Sequence, residues 1–264
     1  MNSRPTAMEA LAGDPSRAGL VLDFDGVLAP IVEDPATSAM PGRVAASLTR
    51  LTPVLGLLAI ISGRPAEFLA GRVRVPGIPL LGSYGIEHFR DGVRQIDPEA
   101  DKWLSHVRQA GQALRTQLAD SPGIRVEEKP VSVAAHWRQA PDQAAAAAEV
   151  HRVTAQVAAE TGLALEPGKL VAELRPPIRV DKGSAVSALL ASTGLAVAVY
   201  VGDDLGDIPA LRAVQDAGGY ALVVDHGPET DPRLLEIADE IYAGPEGFAD
   251  WLAKLADLAG ARRV

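Results

Sequence analysis

Short apolar runs recur along the chain, and each ends in polar residues or glycine. The first, Leu20-Val21-Leu22, leads into Asp23-Phe24-Asp25-Gly26-Val27-Leu28. A continuous apolar run of this kind predicts a buried parallel strand. Side chains at i and i+2 point to the same side of a strand. The tip of this one is therefore expected to present two carboxylates together, where open α/β sheets place their ligand sites. Residues 55–61 form a second run, ended by Ser62-Gly63-Arg64-Pro65, and residues 78–81 a third, ended by Gly82-Ser83-Tyr84-Gly85. The spacing predicts helices over 43–51 and 66–73, the second with proline at its entry. Residues 29–41 read as a loop. Residues 86–96 read as a hairpin turning at Asp91-Gly92.

From Pro98 the pattern changes. A helix is predicted over 99–118, strands over 124–129 and 131–138, an alanine-rich helix over 143–160, and strands over 163–166 and 170–175 around a Pro167-Gly168 turn. Pro176-Pro177 closes this α-β-β-α-β-β block. The earlier pattern then resumes: helix 182–193, strand 196–201, helix 208–214, strand 220–224 and a last helix over 247–259. The fold class expected is α/β, a Rossmann-like parallel-sheet core over 19–97 and 177–264. An α+β cap domain over 98–176 is inserted into it, at the kind of exposed loop that tolerates insertion. Residues 1–18 hold Arg4, Glu9, Asp14 and Arg17 and no apolar core. They read as a short, loose N-terminal arm and not as a signal peptide.

With 47% hydrophobic and 22% charged residues, the 264-residue chain has ordinary globular composition. Its net charge of −9 argues against a general nucleic-acid binder. The absence of cysteine excludes disulfides, thiolate metal sites and a cysteine nucleophile. No uninterrupted apolar stretch approaches the roughly 18 residues of a membrane span. A cytoplasmic, monomeric protein with no nucleic-acid or membrane partner is expected.

Four places carry candidate chemistry: Asp23 with Asp25, Ser62, Lys182-Gly183, and Gly202-Asp203-Asp204 followed by Asp207. Singly, each reads as a cap, a turn residue or a surface lysine. Two adjacent carboxylates repel unless a cation separates them, and Mg2+ is the usual hard cation for oxygen ligands. In this order and placement the four motifs resemble those of the haloacid dehalogenase-like phosphatase superfamily, most of whose members have Thr where this chain has Val27. The resemblance implies Mg2+ held by Asp23, the backbone carbonyl of Asp25, and Asp203. It implies Asp23 as nucleophile toward phosphorus and Asp25 as the acid that protonates the leaving oxygen and then the base for water. Ser62 and Lys182 would hold the phosphoryl oxygens, with Gly26, Gly63 and Arg64 beside the bound phosphate. Asp204 and Asp207 would orient metal-bound waters or Lys182.

The inserted block alternates cleanly. Lys169, Val171, Glu173 and Arg175 share one face of a strand, and Ser132, Ala134, His136 and Arg138 share one face of another. Such a polar surface is either merely solvated or suited to sugar hydroxyls. Residues 19–225 resemble the trehalose-6-phosphate phosphatase family. The matching runs are Asp23 to Pro35, Ser62-Gly63-Arg64, Gly82-Ser83-Tyr84-Gly85-Ile86-Glu87, Glu128-Lys129-x-x-Ser132-x-x-x-His136-x-Arg138 and Pro167-Gly168-Lys169-x-Val171-x-Glu173-Leu174-Arg175-Pro176. The family often has His where Tyr84 stands. The resemblance implies a cap of the C2 type. It also implies that Glu128, Lys129, His136, Arg138, Lys169 and Glu173 contact the disaccharide or its phosphate, with Arg175 contacting it or bracing Glu173. The expected reaction is hydrolysis of trehalose 6-phosphate, with the sugar phosphate as partner. A phosphatase for sucrose phosphate or mannosyl phosphoglycerate is the near alternative, a phosphomutase a remoter one. A non-catalytic sugar-phosphate sensor or synthase subunit is the alternative of another class. The complete set Asp23, Asp25, Ser62, Lys182 and Asp203 favours catalysis.

Overall fold

The computed structural model describes residues 4–168 and 170–261. It divides into two units: Met1–Gln95 with Val180–Val264, and Ile96–Arg179. In the first, an eight-stranded sheet has the order β12-β11-β10-β1-β2-β3-β4-β5. Its strands are β1 Ala18–Leu22, β2 Leu57–Ile61, β3 Leu80–Gly82, β4 Glu87–Arg90, β5 Val93–Ile96, β10 Val197–Gly202, β11 Tyr220–Asp225 and β12 Glu240–Ala243. The six strands from β12 to β3 run parallel, and β4 returns antiparallel to β3. The hairpin turn sits at Asp91 and Gly92, both in the left-handed region (φ +52° and +81°).

The central strands are apolar throughout because both faces are covered. Leu20 and Leu22 of β1, Ile60 of β2 and Val201 of β10 share one core cluster with the helices Gly42–Leu51 and Gly244–Ala261. Val21, Ile61 and Tyr200 share another with the helices Lys182–Ala191 and Ile208–Asp216. Alternate residues thus feed two apolar layers. The tips of β1, β2 and β10 end level, since Leu22 pairs with both Ile60 and Val201.

Residues 4–18, which read as part of a loose arm, are docked. A helix over Ala7–Gly13 opens with a capping box between Thr6 and Glu9 and buries Ala7 and Leu11. Arg4 lies over the Tyr220 ring and donates to the Gly219 carbonyl. The helix is too short for its apolar spacing to stand out in the sequence. The helix Pro232–Ile237 and strand β12 were not expected either; both are short, and β12 exposes alternate residues.

In the second unit, β6 Arg125–Glu128, β7 Val133–His136, β9 Val171–Arg175 and β8 Ala164–Gly168 form an antiparallel sheet in that order. The helices Leu104–Gln117 and Gln143–Thr161 pack their Leu114, Val150, Val153 and Val157 against Val133, Ala135, Ala172 and Leu174. The helix expected over 99–118 is broken into Pro98–Asp101 and Leu104–Gln117. At the break the Trp103 N–H bonds the Ala100 carbonyl, a tighter turn than α, and the indole packs over Gly162. Pro167 and Gly168, expected to form a turn, still pair with β9. β8 is an edge strand, where the missing proline N–H costs no ladder bond.

Candidate active site

Asp23 follows β1 directly, and its backbone N–H bonds the Val201 carbonyl of β10. Its side chain is 5% exposed. Lys182 begins its helix behind the N-cap Asp181, whose carboxylate accepts from the Ser184 N–H at 2.7 Å. The cap aims the Lys182 stem into the first unit, where its Nζ lies 2.7 Å from Asp207 Oδ1 and 3.0 Å from Asp23 Oδ1. Asp207 is fully buried and fully satisfied. Its Oδ1 also accepts from the Tyr200 hydroxyl at 2.5 Å, and its Oδ2 from the Asp203 and Asp204 N–H groups at 2.9 and 3.1 Å. Asp23 Oδ1, by contrast, is buried without a hydrogen bond, its contact with the ammonium being an ion pair.

The electrostatics follow from this layout. Burial pushes the Asp23 carboxyl well above the usual range, Lys182 opposing and Asp207 and Asp203 adding to it. Burial raises Asp203 too, against the contact with His226. Burial, reinforced by Asp207, pushes Asp204 to about 6. At Asp207, burial is outweighed by Lys182 and the Tyr200 hydroxyl, which hold this carboxyl low. Lys182 is raised, because burial is overcome by Asp207 and Asp23.

Carboxylate oxygens of Asp23, Asp203 and Asp207 lie within 4.8 Å of one another. This is a three-carboxylate cluster with one oxygen that makes no hydrogen bond, a donor set of the hard kind that suits a divalent cation. Asp207, expected to orient waters or Lys182, belongs to the cluster itself. The Asp25 carboxylate does not. Arg64 donates to it from Nε (2.7 Å) and Nη2 (3.0 Å), and Ser38 Oγ donates at 2.8 Å. The expectation that Asp23 and Asp25 share a side requires a continuing strand, but β1 ends at Leu22. The backbone then turns through Gly26 at φ +77°. A Cβ at Gly26 would sit 2.0 Å from Asp203 Oδ2, so only glycine admits this approach.

Ser62 is buried at the tip of β2, and its Oγ accepts from the Arg64 N–H at 3.2 Å. Gly63 lies under the Tyr84 ring, 2.8 Å from where its Cβ would stand. Sequence reading passed over His226. It follows β11, its Nε2 lies 3.2 Å from Asp203 Oδ2, and that contact raises its pKa. The available signal was Asp225-His226-Gly227 closing an apolar strand, the same pattern used at the other tips.

The second unit carries its own polar face. Lys129 Nζ donates to Glu173 Oε1 at 3.0 Å, and Ser132 Oγ donates to the same oxygen at 2.5 Å. His136 Nε2 lies 2.8 Å from Glu127 Oε2. The histidine contact holds Glu127 down at about 2. Arg175 shares the face of Glu173 by alternation along β9, half-buried, and Arg138 is exposed just past β7. Lys169 lies outside the described residues. Glu128 is not on this face. It pairs with Val133, whose side chain enters the apolar core, and its carboxylate is ion-paired to Arg115 of the helix layer. Glu127, opposite Ala134 and through it Glu173, holds the place expected for Glu128.

The family model of trehalose-phosphatase matches residues 21–233. The chain is 34% identical over 268 residues to the trehalose-phosphate phosphatase of Mycobacterium marinum, spanning 97% of this chain and 67% of that protein. The crystal structure of a trehalose-6-phosphate phosphatase related protein superposes with a TM-score of 0.77 at 23% identity, covering 93% of this chain and all of the other. The C-terminal domain of Candida albicans trehalose-6-phosphate phosphatase gives 0.72 at 21% identity, covering 95% of each. These structures share the fold, a haloacid dehalogenase-like hydrolase being another neighbour with a TM-score of 0.64. By the extent of the family match and the identity to its mycobacterial relative, the chain belongs to the trehalose-phosphatase family.

Proposed function

We propose that the chain is a Mg2+-dependent phosphatase that hydrolyses trehalose 6-phosphate to trehalose and phosphate. The observation that carries this reading is Asp23 Oδ1, a buried carboxylate oxygen with no hydrogen-bond partner, facing a lysine and two further carboxylates. Such an oxygen is kept for a reacting phosphorus or a cation. Asp23, Asp203 and the Asp25 carbonyl would hold the metal, with Asp207 fixing Lys182 and the 203–204 backbone at its side. When bound, the cation neutralises phosphate charge so that an anionic nucleophile can approach.

Asp23 attacks phosphorus, and the sugar oxygen leaves as the aspartyl-phosphate bond forms. Asp25 protonates that oxygen and then takes a proton from the water that hydrolyses the intermediate. In this role the Arg64–Asp25 pair opens as substrate enters, and Arg64, Ser62, Gly63 and Lys182 receive the phosphoryl oxygens. Lys129, His136, Glu173, Arg138, Lys169 and Arg175 of the second unit read the sugar, together with Glu127 in place of Glu128. Family membership supports trehalose 6-phosphate as the sugar phosphate, since fold alone does not choose among substrates.

The test is phosphate release from trehalose 6-phosphate, sucrose 6-phosphate, glucose 6-phosphate and mannosyl phosphoglycerate, with Mg2+ and with EDTA. Preference for trehalose 6-phosphate, abolished by EDTA, is expected. Metal-dependent turnover of another member would replace the substrate. Turnover of none by folded, metal-replete protein would favour a sensor.

A further inference from the structure

Glu87, at the start of β4, is a completely buried carboxylate that the reaction does not use. Its Oε1 accepts from Ser83 Oγ at 2.6 Å, and its Oε2 from Arg94 Nε at 2.7 Å. Burying a carboxylate is costly unless it is paired and hydrogen-bonded, and apolar residues commonly serve a core better. The turn it anchors is unusual. Ser83 and Tyr84, neither of them glycine, stand consecutively in the left-handed region (φ +51° and +61°), followed by Gly85 at +103°. Such conformations persist only where surrounding contacts over-determine them.

What this strained turn grips is the neighbouring loop. The Ser83 N–H donates to the Arg64 carbonyl at 2.8 Å, and the Tyr84 N–H to the Ser62 carbonyl at 2.9 Å. The Tyr84 ring lies against Gly63, between those two carbonyls. On its other side the turn meets the helix that presents Lys182: a Cβ at Gly85 would fall 2.4 Å from that of Ala185. One turn therefore abuts both elements that carry the groups assigned to the phosphoryl oxygens.

We infer that Glu87 is a positioning residue: through Ser83 it holds the 83–85 turn in its strained form, and the turn sets the 62–64 loop for phosphate. This rests on the reading of that loop as phosphate-binding. The alternative role, core stability alone, predicts different data. A misplacement of about 1 Å costs up to about a hundredfold in rate, so geometry at the loop is measurable.

The test uses metal-replete full chain, with inorganic phosphate as competitive probe and thermal melting as the measure of folding. Ser83→Ala removes the anchor and leaves a residue that resists positive φ. Ser83→Gly removes the same hydroxyl but adopts positive φ freely. Expected is a rise of about tenfold or more in the phosphate inhibition constant, with a fall in kcat, for Ser83→Ala and for Glu87→Leu. Ser83→Gly is expected to lose several-fold less than Ser83→Ala, and Ser83→Gly added to Glu87→Leu to recover part of that variant's loss. If both Ser83→Ala and Glu87→Leu melt lower yet bind phosphate as wild type does, Glu87 is only structural and the inference fails. Equal loss for Ser83→Ala and Ser83→Gly would also overturn it. If Ser62→Ala leaves phosphate inhibition unchanged, the loop reading fails and the inference falls with it. An effect of Ser62→Ala without one at Glu87 overturns the inference alone.

Discussion

Asp207 is itself fully buried and accepts from Lys182, Tyr200 and two backbone N–H groups. Removing one partner of a buried charge pair strands the other. Asp207→Asn is therefore expected to lower unfolding free energy by at least about 2 kcal/mol in chemical denaturation. A change within about 0.5 kcal/mol, the range of ordinary surface substitutions, would show that the network is not stabilising. Asp23 is the opposite case. Its buried oxygen without a hydrogen bond and its raised pKa mark a carboxylate held at a cost in the metal-free protein. At this scale the residue types at the tips were legible, because Asp, Ser and Lys at the ends of apolar runs announce themselves. Their pairings were not. That Arg64 clasps Asp25, and that Asp207 joins the cluster, depend on how the backbone leaves β1 and β10.

At the scale of elements, the central strands were legible because burial on both faces writes itself as an uninterrupted apolar run. The face of β6 was not. Arg125-Val126-Glu127-Glu128 does not show by itself which glutamate lies with His136; that is decided by the register against Val133 to His136. One residue of slip exchanges Glu127 and Glu128. The Ala7–Gly13 helix escaped notice for a related reason, since its burial comes from docking and not from its own pattern. If the polar face reads the sugar, Glu127→Ala raises KM for trehalose 6-phosphate several-fold or more. Glu128→Ala, which removes an ion pair to Arg115, leaves KM near wild type and lowers stability by at most about 1 kcal/mol. Steady-state kinetics on both variants decides this, and the reverse order of KM effects would contradict the assigned face.

At the scale of the whole molecule, the site couples cation, proton and fold. The folded pKa of Asp204 is about 6, above its ordinary 3.8. A raised carboxyl contributes stability that is present below the unfolded value and lost as pH rises through the folded one. The Asp23 and Asp203 shifts have the same sign, while Asp207 opposes them. In metal-free protein the contribution of Asp204 is therefore lost between about pH 4 and 6, and the raised Asp23 and Asp203 act in the same direction. A cation held by the ionised forms would reverse the effect. The gain in Tm on adding Mg2+ is expected to be larger at pH 7.5 than at pH 5 in differential scanning calorimetry. An equal gain at both would remove the carboxylate cluster from the metal's binding site. No helix among the described residues is long and apolar enough to cross a membrane.

The central claim is that Asp23 attacks phosphorus, and the most direct measurement is phosphate release from trehalose 6-phosphate by wild type and Asp23→Asn at saturating Mg2+. Far-UV circular dichroism and Tm monitor the fold alongside. The account predicts a fall in kcat of at least about a thousandfold in a variant that remains folded. Phosphate release at the wild-type rate would contradict it.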